Sequence, residues 1–379
     1  MIFTPGFPPW RIGGEEYYSS YQAKNLIDLG HKVNVIAENH SNEQTGIIRK
    51  FNDHLKIFLV RPPRTKRYLF KNIITTFRYL IAALKLRTKP DLIYGHDTIG
   101  PGLAAVIVGR VMRVPVIIIW HGAELIASKL SKTGTLIRKL ICKYADYVIV
   151  SSELFKGLAL KNVGEDLASK FHVISPAVDI NEFSPEINGT SIREEYSILN
   201  SLLILSVGRL EWVKGFDLLI RAISLVLEHF PNAKFMIVGG GSQKEYLTNI
   251  AQTLNVRNNL ILTGPVKRAK LPKFYSACDV FLVPTRGEGF GMVFLEAWSC
   301  GKPIITTPQA PVIASLIKKR GGGIISTNDP KNLGNALITL LSDKNLRLTM
   351  GEMGRKIAID FSWRKMVEAS LNLHSNFTH

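Results

Sequence analysis

The sequence lacks the residue patterns that mark several common classes of protein. Its three cysteines (Cys142, Cys278 and Cys300) are scattered and have no metal-ligand spacing. This distribution excludes a disulfide framework and favours a reducing compartment. No Asp-x-Asp pair occurs anywhere, and we expect no bound metal and no cofactor. No zinc-finger, RNA-recognition or helix-turn-helix signature is present, which argues against nucleic acid as a partner.

Long apolar runs are also missing. A membrane-spanning helix needs ~20 apolar residues, and the nearest candidate, 99–120, is interrupted by Arg110, Arg113 and Pro115. The N-terminal residues include three prolines and have no basic region ahead of the apolar positions, unlike a signal peptide. These features predict a cytoplasmic location.

Acidic residues are scarce, with 30 Asp and Glu against 48 Lys and Arg, which gives a formal net charge of +18. Such an excess predicts an anionic partner, which could be a nucleotide, a nucleic acid or a membrane surface, with nucleic acid the weakest of the three. The stretch Leu55–Pro90 contains no acidic residue at all. Its helical spacing separates an apolar side from a cationic side. The apolar side holds Phe70, Ile73, Ile74, Phe77, Leu80, Ile81 and Leu84, and the cationic side holds Arg67, Lys71, Arg78, Lys85 and Lys89.

Two interpretations of this basic helix, residues 67–89, remain open. It could pack its apolar side into a core and leave the cations in solvent. Alternatively, it could dock on anionic lipid headgroups, where each basic residue near the surface contributes ~1 kcal/mol. We favour docking at the cytoplasmic membrane face, because a helical side without any acidic residue is unusual.

Short apolar runs alternate with amphipathic helical segments, and the pattern runs twice along the 379 residues. Nearly all-apolar strands between helices indicate parallel sheets covered on both faces. The polar segment 179–200 separates the two series, which predicts two Rossmann-like α/β domains, 1–178 and 199–360. The candidate strands are 33–36, 92–94, 116–119, 148–150, 173–174, 202–207, 234–238, 260–262, 280–283, 303–305 and 323–325.

The most informative motif is Thr285–Glu296, in which Glu288 and Glu296 flank a glycine turn that enters a helix. A strand, a glycine turn and a helix start direct backbone amides at an anion. The two carboxylates can then reach hydroxyls of the molecule that carries the anion. The alternative is a solvated loop acid and a Glu favoured by the helix dipole. Gly289, Phe290 and Gly291 weaken that alternative, because they have no evident packing purpose.

A second motif follows the predicted strand 202–207, at Gly208–Gly215. Open α/β sheets bind ligands at the carboxyl ends of their strands. Arg209 could hold a diphosphate through its planar fork and Lys214 through a mobile point charge. An ordinary surface turn with two solvated cations explains the same residues about as well.

Three further signals are weaker taken singly. Gly13 and Gly14, with Glu16, form a glycine turn before a helix, but they lack the spacing of the dinucleotide fingerprint. Gly239 opens a glycine turn after the strand 234–238, which is either structural or faces a nucleotide. His121 follows the strand 116–119 and is placed for contact with a ligand hydroxyl, although a lone His is more often structural.

Together these motifs resemble the family 4 glycosyltransferases of the GT-B fold over nearly the full length. The resemblance covers the glycine loop at residues 13–16, His121-Gly122, Gly208-Arg209 with Lys214-Gly215, and the glutamate pair. Val178-Asp179 with Phe183 resembles the interdomain segment, and Phe361-Ser-Trp363 resembles the start of the family's tail helix. The combination is specific, whereas each motif alone is not.

The resemblance implies two Rossmann-like domains whose parallel sheets face each other across a cleft, with the tail, 361–379, packing back on the first domain. It implies retaining transfer of a hexose from a nucleotide-diphospho-sugar, bound by the second domain, to a hydroxyl acceptor at the first. The basic helix, and not the resemblance, favours a lipid-linked or glycan acceptor. Arg209 and Lys214 would clamp the diphosphate, Glu288 with the amides of the glycine turn would hold the sugar, and Glu296 would bind the ribose. His121 would lie beside the transferred sugar.

The sequence departs from the family pattern in places. The first strand is short, Ser175–Asp179 replaces a glycine-containing hinge, and Thr307–Pro311 replaces a glycine-rich late loop. Two other functions remain open. A nucleotide-sugar epimerase would need acid and base groups around the sugar ring, for which His121 and Glu288 are thin support. A non-catalytic partner subunit that binds nucleotide or membrane would not need the intact set of donor-site residues.

Overall fold

The computed structural model describes residues 1–11, 14–39, 45–46, 48–50, 52–63, 68–96, 99–121 and 132–375. The chain divides into two compact units. Unit 1 contains residues 1–176 and the segment from 363 onward, and unit 2 contains residues 177–362. Each unit alternates strands and helices around one sheet, so the predicted pair of parallel-sheet α/β domains is confirmed.

The sheet of unit 1 has eight described strands. They are β1 (Ile2–Thr4), β2 (Val33–Glu38), β3 (Ile48–Lys50), β4 (Leu55–Val60), β5 (Ile93–His96), β6 (Val116–Trp120), β7 (Tyr147–Val150) and β8 (Phe171–Val173). The order across the sheet is β3-β4-β2-β1-β5-β6-β7-β8, and every pair is parallel except β3 with β4. The candidate strands included neither β3 nor β4, and β4 forms the start of the acid-free stretch Leu55–Pro90.

The described helices of unit 1 lie on both faces of this sheet. They are α1 (Gly14–Asp28), α2 (Tyr68–Lys85), α3 (Pro101–Met112), α4 (Lys132–Tyr144), α5 (Glu153–Val163) and α14 (Trp363–Ser375). One hydrophobic core joins the sheet to α2, α3, α4 and α5 and includes Tyr79, Ala105, Cys142 and Phe155. Helix α1 connects β1 to β2, toward the β3 edge of the sheet, whereas α2 to α5 connect strands in the direction of the β8 edge. Because parallel crossovers are right-handed, α1 lies on the face opposite to those helices. There it packs against α14.

The sheet of unit 2 is entirely parallel. Its strands are β9 (Leu203–Val207), β10 (Lys234–Val238), β11 (Leu260–Gly264), β12 (Val280–Leu282), β13 (Ile304–Thr306) and β14 (Gly323–Ile325). Their order is β11-β10-β9-β12-β13-β14. This is the doubly wound arrangement in which the first strand of the unit lies at the centre. Strand β9 is buried throughout and β10 at every residue except Lys234, as their continuous apolar sequence requires.

Helices cover both faces of the second sheet. They are α6 (Thr190–Glu195), α7 (Phe216–His229), α8 (Lys244–Thr253), α9 (Leu271–Ala277), α10 (Met292–Ser299), α11 (Pro311–Arg320), α12 (Pro330–Ser342) and α13 (Lys344–Asp360). The polar segment proposed as a separator lies with this unit, because Phe183, Ile192 and Ile198 are buried in its core. The predicted separator is therefore part of a packed domain.

Both sheets have a point at which the strand order reverses. In unit 1 it lies between β1 and β5, and in unit 2 between β9 and β12. Connections leave such a point toward opposite faces, which opens a crevice outside the carboxyl ends of the two strands. The loops at these two points carry most of the residues that the sequence singles out, whereas His121 and Gly239 follow the neighbouring strands β6 and β10.

Candidate functional site

In unit 2, two loops meet at the switch point, one after β9 and one after β12. Gly215 has a φ of +69°, and a Cβ at this position would lie 2.0 Å from the carbonyl oxygen of Pro284. Only glycine permits this approach. The backbone N–H of Arg286 donates to the Val213 carbonyl at 2.7 Å, and the hydroxyl of Thr285 donates to the same oxygen at 3.0 Å. These contacts hold the two loops side by side.

A second set of contacts strengthens this junction. The Arg286 guanidinium forms a bidentate ion pair with Asp217, with both N–O distances at 2.7 Å. It also lies over the ring of the exposed Trp212, 4.7 Å from its centroid. Planar, bidentate pairing fixes orientation as well as distance. Arg286 and Asp217, which no sequence motif marks as functional, support the two loops.

The junction brings Lys214 and Glu288 together. Lys214 Nζ lies 2.5 Å from Glu288 Oε2, and both side chains are mostly buried. Arg209 lies on the same loop as Lys214, is exposed and has no ion-pair partner among the residues described. A cationic cluster with one paired and one unpaired member can accept further negative charge, as a diphosphate would provide.

Gly208 and Gly239 lie next to each other at the ends of β9 and β10. The N–H of Gly208 donates to the Val238 carbonyl at 3.0 Å. A Cβ on Gly239, whose φ is +150°, would lie 1.9 Å from the oxygen of Gly208. Gly239 therefore has a clear structural purpose, which is to let the turn after β10 lie against the loop after β9.

The glycine turn after Glu288 leads into α10. Gly291 is the N-cap residue of this helix, and Phe294 is the first residue whose N–H bonds back, to Gly291. The amides that precede it have no partner within the helix and carry its positive end. The side chain of Phe290 is buried and packs against Phe361, with ring centroids 5.7 Å apart. Only the backbone of Gly289 and Phe290 is therefore placed to meet a ligand.

Glu296 lies one helical turn further into unit 2 and is 3% exposed. Arg268 Nη2 contacts one carboxylate oxygen at 2.7 Å, and the hydroxyl of Tyr275 donates to the other at 2.7 Å. Burial and the neighbouring Glu296 raise the pKa of Tyr275 well above its ordinary value, which keeps it a proton donor. Sequence reasoning missed both partners, because nothing in their spacing links them to Glu296.

At the switch point of unit 1, Glu16 lies in the first turn of α1 and is 4% exposed. Its carboxylate pairs with Arg11 Nε at 2.8 Å. Gly14 is the exposed first residue of this helix, and Gly13 lies outside the described residues. The glycine turn thus leads into a helix start that carries a buried, paired carboxylate.

His121 belongs to a pair of histidines at the same edge of the sheet. His121 Nε2 lies 3.1 Å from Nδ1 of His96, and His96 Nε2 lies 2.8 Å from Oε1 of Gln22. Burial and the neighbouring His121 hold the pKa of His96 well below its ordinary value, so His96 is neutral. With the Gln22 amide in this orientation, the His96 proton is on Nε2, and Nδ1 accepts the Nε2 proton of His121. Residue 96 was missed because its strand position looks like ordinary core.

Aromatic residues from α1 and α14 surround this pair. Tyr18 packs edge-on against His121 and against Trp363, with centroid distances of 4.9 Å and 5.0 Å. Trp363 also stacks on Tyr21 at 5.2 Å. The segment that resembles the family's tail helix therefore contributes directly to the surroundings of His121.

The basic helix differs from expectation in both its bounds and its orientation. Helix α2 ends at Lys85, so Lys89 lies beyond it, while Arg67 and the side chain of Lys71 lie outside the described residues. Most of its apolar side faces solvent, with Phe70 56%, Phe77 63% and Leu84 68% exposed, while Ile74 and Leu80 are half-buried. The interpretation in which this side packs into the core is wrong.

No helix in the part of the chain that the structure describes is long and apolar enough to cross a membrane. No group of three or more His, Cys, Asp or Glu side chains within the described ranges is arranged to hold a metal ion.

Two family models match the chain and together cover most of it. "Glycosyltransferase Family 4" matches residues 12–182, and "Glycosyl transferases group 1" matches residues 190–357. A GDP-mannose-dependent alpha-(1-6)-phosphatidylinositol monomannoside mannosyltransferase of Mycolicibacterium smegmatis is 26% identical over 373 residues, covering 96% of this chain and 95% of the relative. A D-inositol 3-phosphate glycosyltransferase of Xylanimonas cellulosilytica is 30% identical over 226 residues, or 57% of this chain; the match spans about half (53%) of that relative's length.

Solved structures share the architecture. Sucrose-phosphate synthase from Thermosynechococcus elongatus superposes with a TM-score of 0.82 at 21% identity, covering 100% of this chain and 98% of the other. Anabaena HepE in complex with UDP-glucose superposes with a TM-score of 0.76 at 19% identity, covering 98% of each chain. At these identities the likeness establishes the GT-B fold.

Proposed function

This chain belongs to the family 4 glycosyltransferases of group 1, and from that membership we propose that it transfers a hexose from a nucleotide-diphospho-sugar to a hydroxyl acceptor. The acceptor is lipid-linked or a glycan, the anomeric configuration is retained, and no metal takes part. The observation that carries the proposal is the meeting of Lys214 with Glu288 at the switch point of unit 2. That position is where a doubly wound sheet binds nucleotides.

The proposed donor site stabilises a diphosphate leaving group. As the glycosidic bond to the diphosphate breaks, negative charge grows on the departing oxygen. Arg209, Lys214 and the amide end of α10 supply fixed positive charge there, and preorganised charge of this kind lowers the barrier. The leaving phosphate accepts the proton of the acceptor hydroxyl as the new bond forms, so no protein base is required.

The two glutamates anchor hydroxyl groups at opposite ends of the donor. Glu288, with the backbone of Gly289, Phe290 and Gly291, holds the sugar, and Glu296 accepts hydrogen bonds from the ribose. The contacts of Glu296 with Arg268 and Tyr275 support this assignment, because they fix both carboxylate oxygens before any hydroxyl arrives. Gly208 and Gly239 allow the nucleotide to approach the backbone closely.

The acceptor side of the proposal rests on unit 1. His121 faces the transferred sugar, and His96 fixes its orientation and proton through the contact at 3.1 Å. The glycine turn at Gly13 and Gly14, with Glu16, borders the acceptor. Two relatives are named for phosphatidylinositol monomannoside and for inositol 3-phosphate. Their names support an acceptor hydroxyl on a polar molecule that also bears a lipid or a phosphate group.

We further propose that α2 docks the enzyme on the anionic, cytoplasmic face of a membrane, where a lipid-linked acceptor would be found. Its exposed apolar side and its lack of acidic residues support this proposal. A helix of this kind lies in the interface with its apolar side in the headgroup region.

A nucleotide-sugar panel tests the donor assignment directly. A bound ligand raises the free energy of unfolding by about 2.7 kcal/mol at 100 times its Kd. We therefore expect one nucleotide-sugar, among GDP-mannose, UDP-glucose and related compounds, to raise Tm well above the others. The same compound should support transfer to a lipid-linked acceptor, and NMR of the product should show a retained anomeric configuration. Conversion of the nucleotide-sugar to an isomer without acceptor would contradict the proposal.

A further inference from the structure

Large apolar side chains are exposed on a second helix of unit 1, not only on α2. On α4, Leu136 is 58% exposed, Leu140 43% and Tyr144 49%. Residues four apart lie on one side of a helix, so the three form a continuous apolar stripe. The opposite side of α4 is buried and contributes Ile141 and Cys142 to the core. The exposed stripe is therefore additional to the apolar surface that α4 needs for packing.

The exposed sides of α2 and α4 face the same direction. Both helices cover the same face of the eight-stranded sheet, share one core with it, and flank α3, which contacts each of them. Since the sheet lies under all three, the sides turned away from it form one surface. Val111, near the end of α3, adds a further apolar side chain that is 78% exposed.

This surface is cationic as well as apolar. None of α2, α3 and α4 contains an Asp or Glu. Lys143 on α4 and Lys85 on α2 are exposed. Among the described residues, two carboxylates from outside these helices reach the area: Asp166 lies 3.5 Å from Lys139, and Asp146 lies 3.1 Å from Arg110.

We propose that α4 and α2 together form one docking surface for a bilayer that contains anionic lipids. The Leu136–Leu140–Tyr144 stripe enters the boundary between headgroups and acyl chains, and Lys139 and Lys143 contact the headgroup phosphates. This inference rests on the membrane docking of α2 proposed above and extends it to a second helix. Two parallel contact lines fix the orientation of unit 1 on the membrane, whereas a single helix leaves rotation about its axis free.

Charge selects the bilayer over a second copy of the chain as occupant. A symmetric dimer through this surface would place two faces whose helices carry only cations against each other, and close like charges repel. An anionic membrane supplies both the opposite charge and an apolar interior.

Vesicle binding by the full-length protein tests the proposal. We would compare vesicles of phosphatidylcholine with vesicles that contain equal amounts of phosphatidylcholine and phosphatidylglycerol. The α4 variant is Leu136→Gln with Leu140→Gln, and the α2 variant is Phe77→Gln with Leu84→Gln. The control, Leu348→Gln with Met353→Gln on α13, removes side chains of matched exposure, 57% and 42%. We expect each of the first two variants to bind the anionic vesicles at least about tenfold more weakly, and the control to bind like wild type.

Several outcomes would overturn the proposal. If the α4 variant binds like wild type while the α2 variant is weakened, α4 is not part of the surface. If wild type does not bind the anionic vesicles, docking through α2 and docking through α4 are both refuted. If the α4 changes convert a dimer to a monomer in sedimentation without altering vesicle binding, a second copy is the occupant. Transfer to a soluble acceptor should be the same in all variants and in wild type. If wild type binds the anionic vesicles but transfers no sugar, the result contradicts the proposed reaction and leaves the docking surface standing.

Discussion

The ammonium of Lys214 and the carboxylate of Glu288 lie 2.5 Å apart, although 73 residues separate them in the chain. Lys214 lies on the proposed phosphate side of the donor site and Glu288 on the sugar side. The pair thus connects the two sides through one contact. A donor that engages both residues must share this contact or separate it, so the two residues should act as a coupled unit in any mutational test.

Lys214→Ala should lower kcat/KM for transfer by at least about 100-fold, because it removes fixed positive charge from the leaving group. The fold should remain intact, as judged by circular dichroism, since Lys214 lies in a loop outside the apolar core of unit 2. Lys234→Ala, which removes a lysine at the start of β10 in the same unit, is the matched control and should leave kcat/KM unchanged. Activity near that of wild type in Lys214→Ala would refute the clamp.

Tyr275→Phe should weaken nucleotide binding several-fold while changing kcat less, because Glu296 would lose one of the two contacts that orient its carboxylate. The raised pKa of Tyr275 predicts that the effect is the same from pH 6 to pH 9, roughly the whole practical range. Isothermal titration with the nucleoside diphosphate measures it, with the exposed Tyr246→Phe as control. If the two variants bind the nucleoside diphosphate with equal affinity, Tyr275 does not position Glu296.

Gly239→Ala should lower both stability and donor binding, because its Cβ would lie 1.9 Å from the Gly208 oxygen at a φ of +150°. The neighbouring Gly240→Ala is a close control, since its Cβ would meet only the side chain of Pro265 at 3.4 Å. We expect a loss of more than about 2 kcal/mol in the first variant and little change in the second. Thermal unfolding and nucleotide titration of both variants provide the comparison, and similar Tm values would contradict it.

Acid should destabilise unit 1 through His96. Its folded pKa is lowered by burial and by His121, whereas in the unfolded chain it titrates near 6.5. The stability contributed by neutral His96 is therefore full above about pH 6.5 and is lost as the pH falls below it, at about 1.4 kcal/mol per pH unit. His96→Gln, which cannot titrate, should show a shallower fall in Tm between pH 7.5 and 5.5. If Tm falls equally with pH in wild type and in His96→Gln, titration of His96 does not contribute to the acid destabilisation.

The sequence predicted the strands of both sheets most reliably where they are buried on both faces, as in 203–207 and 234–238. Such strands are continuous apolar runs that leave little room for another interpretation. It also predicted the loop positions of Lys214 and Glu288, because motifs record spacing along the chain. It could not reveal that the two residues touch, since that contact depends on how two crossovers place their loops.

Other features were beyond the reach of sequence patterns for equally physical reasons. Helical spacing identifies which side chains of α2 share a side, but not which side the sheet covers. The partners of Glu296 and of His121 come from separate elements and have no spacing signature. His96 and Tyr275 look like core residues because they are core residues, and their polar atoms acquire a function only through what packs against them.

The position of α14 has a consequence for how the protein is made. Trp363 and its helix complete unit 1, but they follow the whole of unit 2 in the sequence. Domains usually fold in the order in which the ribosome releases them. Here the first unit emerges early without the helix that covers Tyr18 and Tyr21. That helix is added only after the second unit has been synthesised. A nascent chain halted before Trp363 would carry both sheets, but the aromatic surroundings of His121 would still be incomplete.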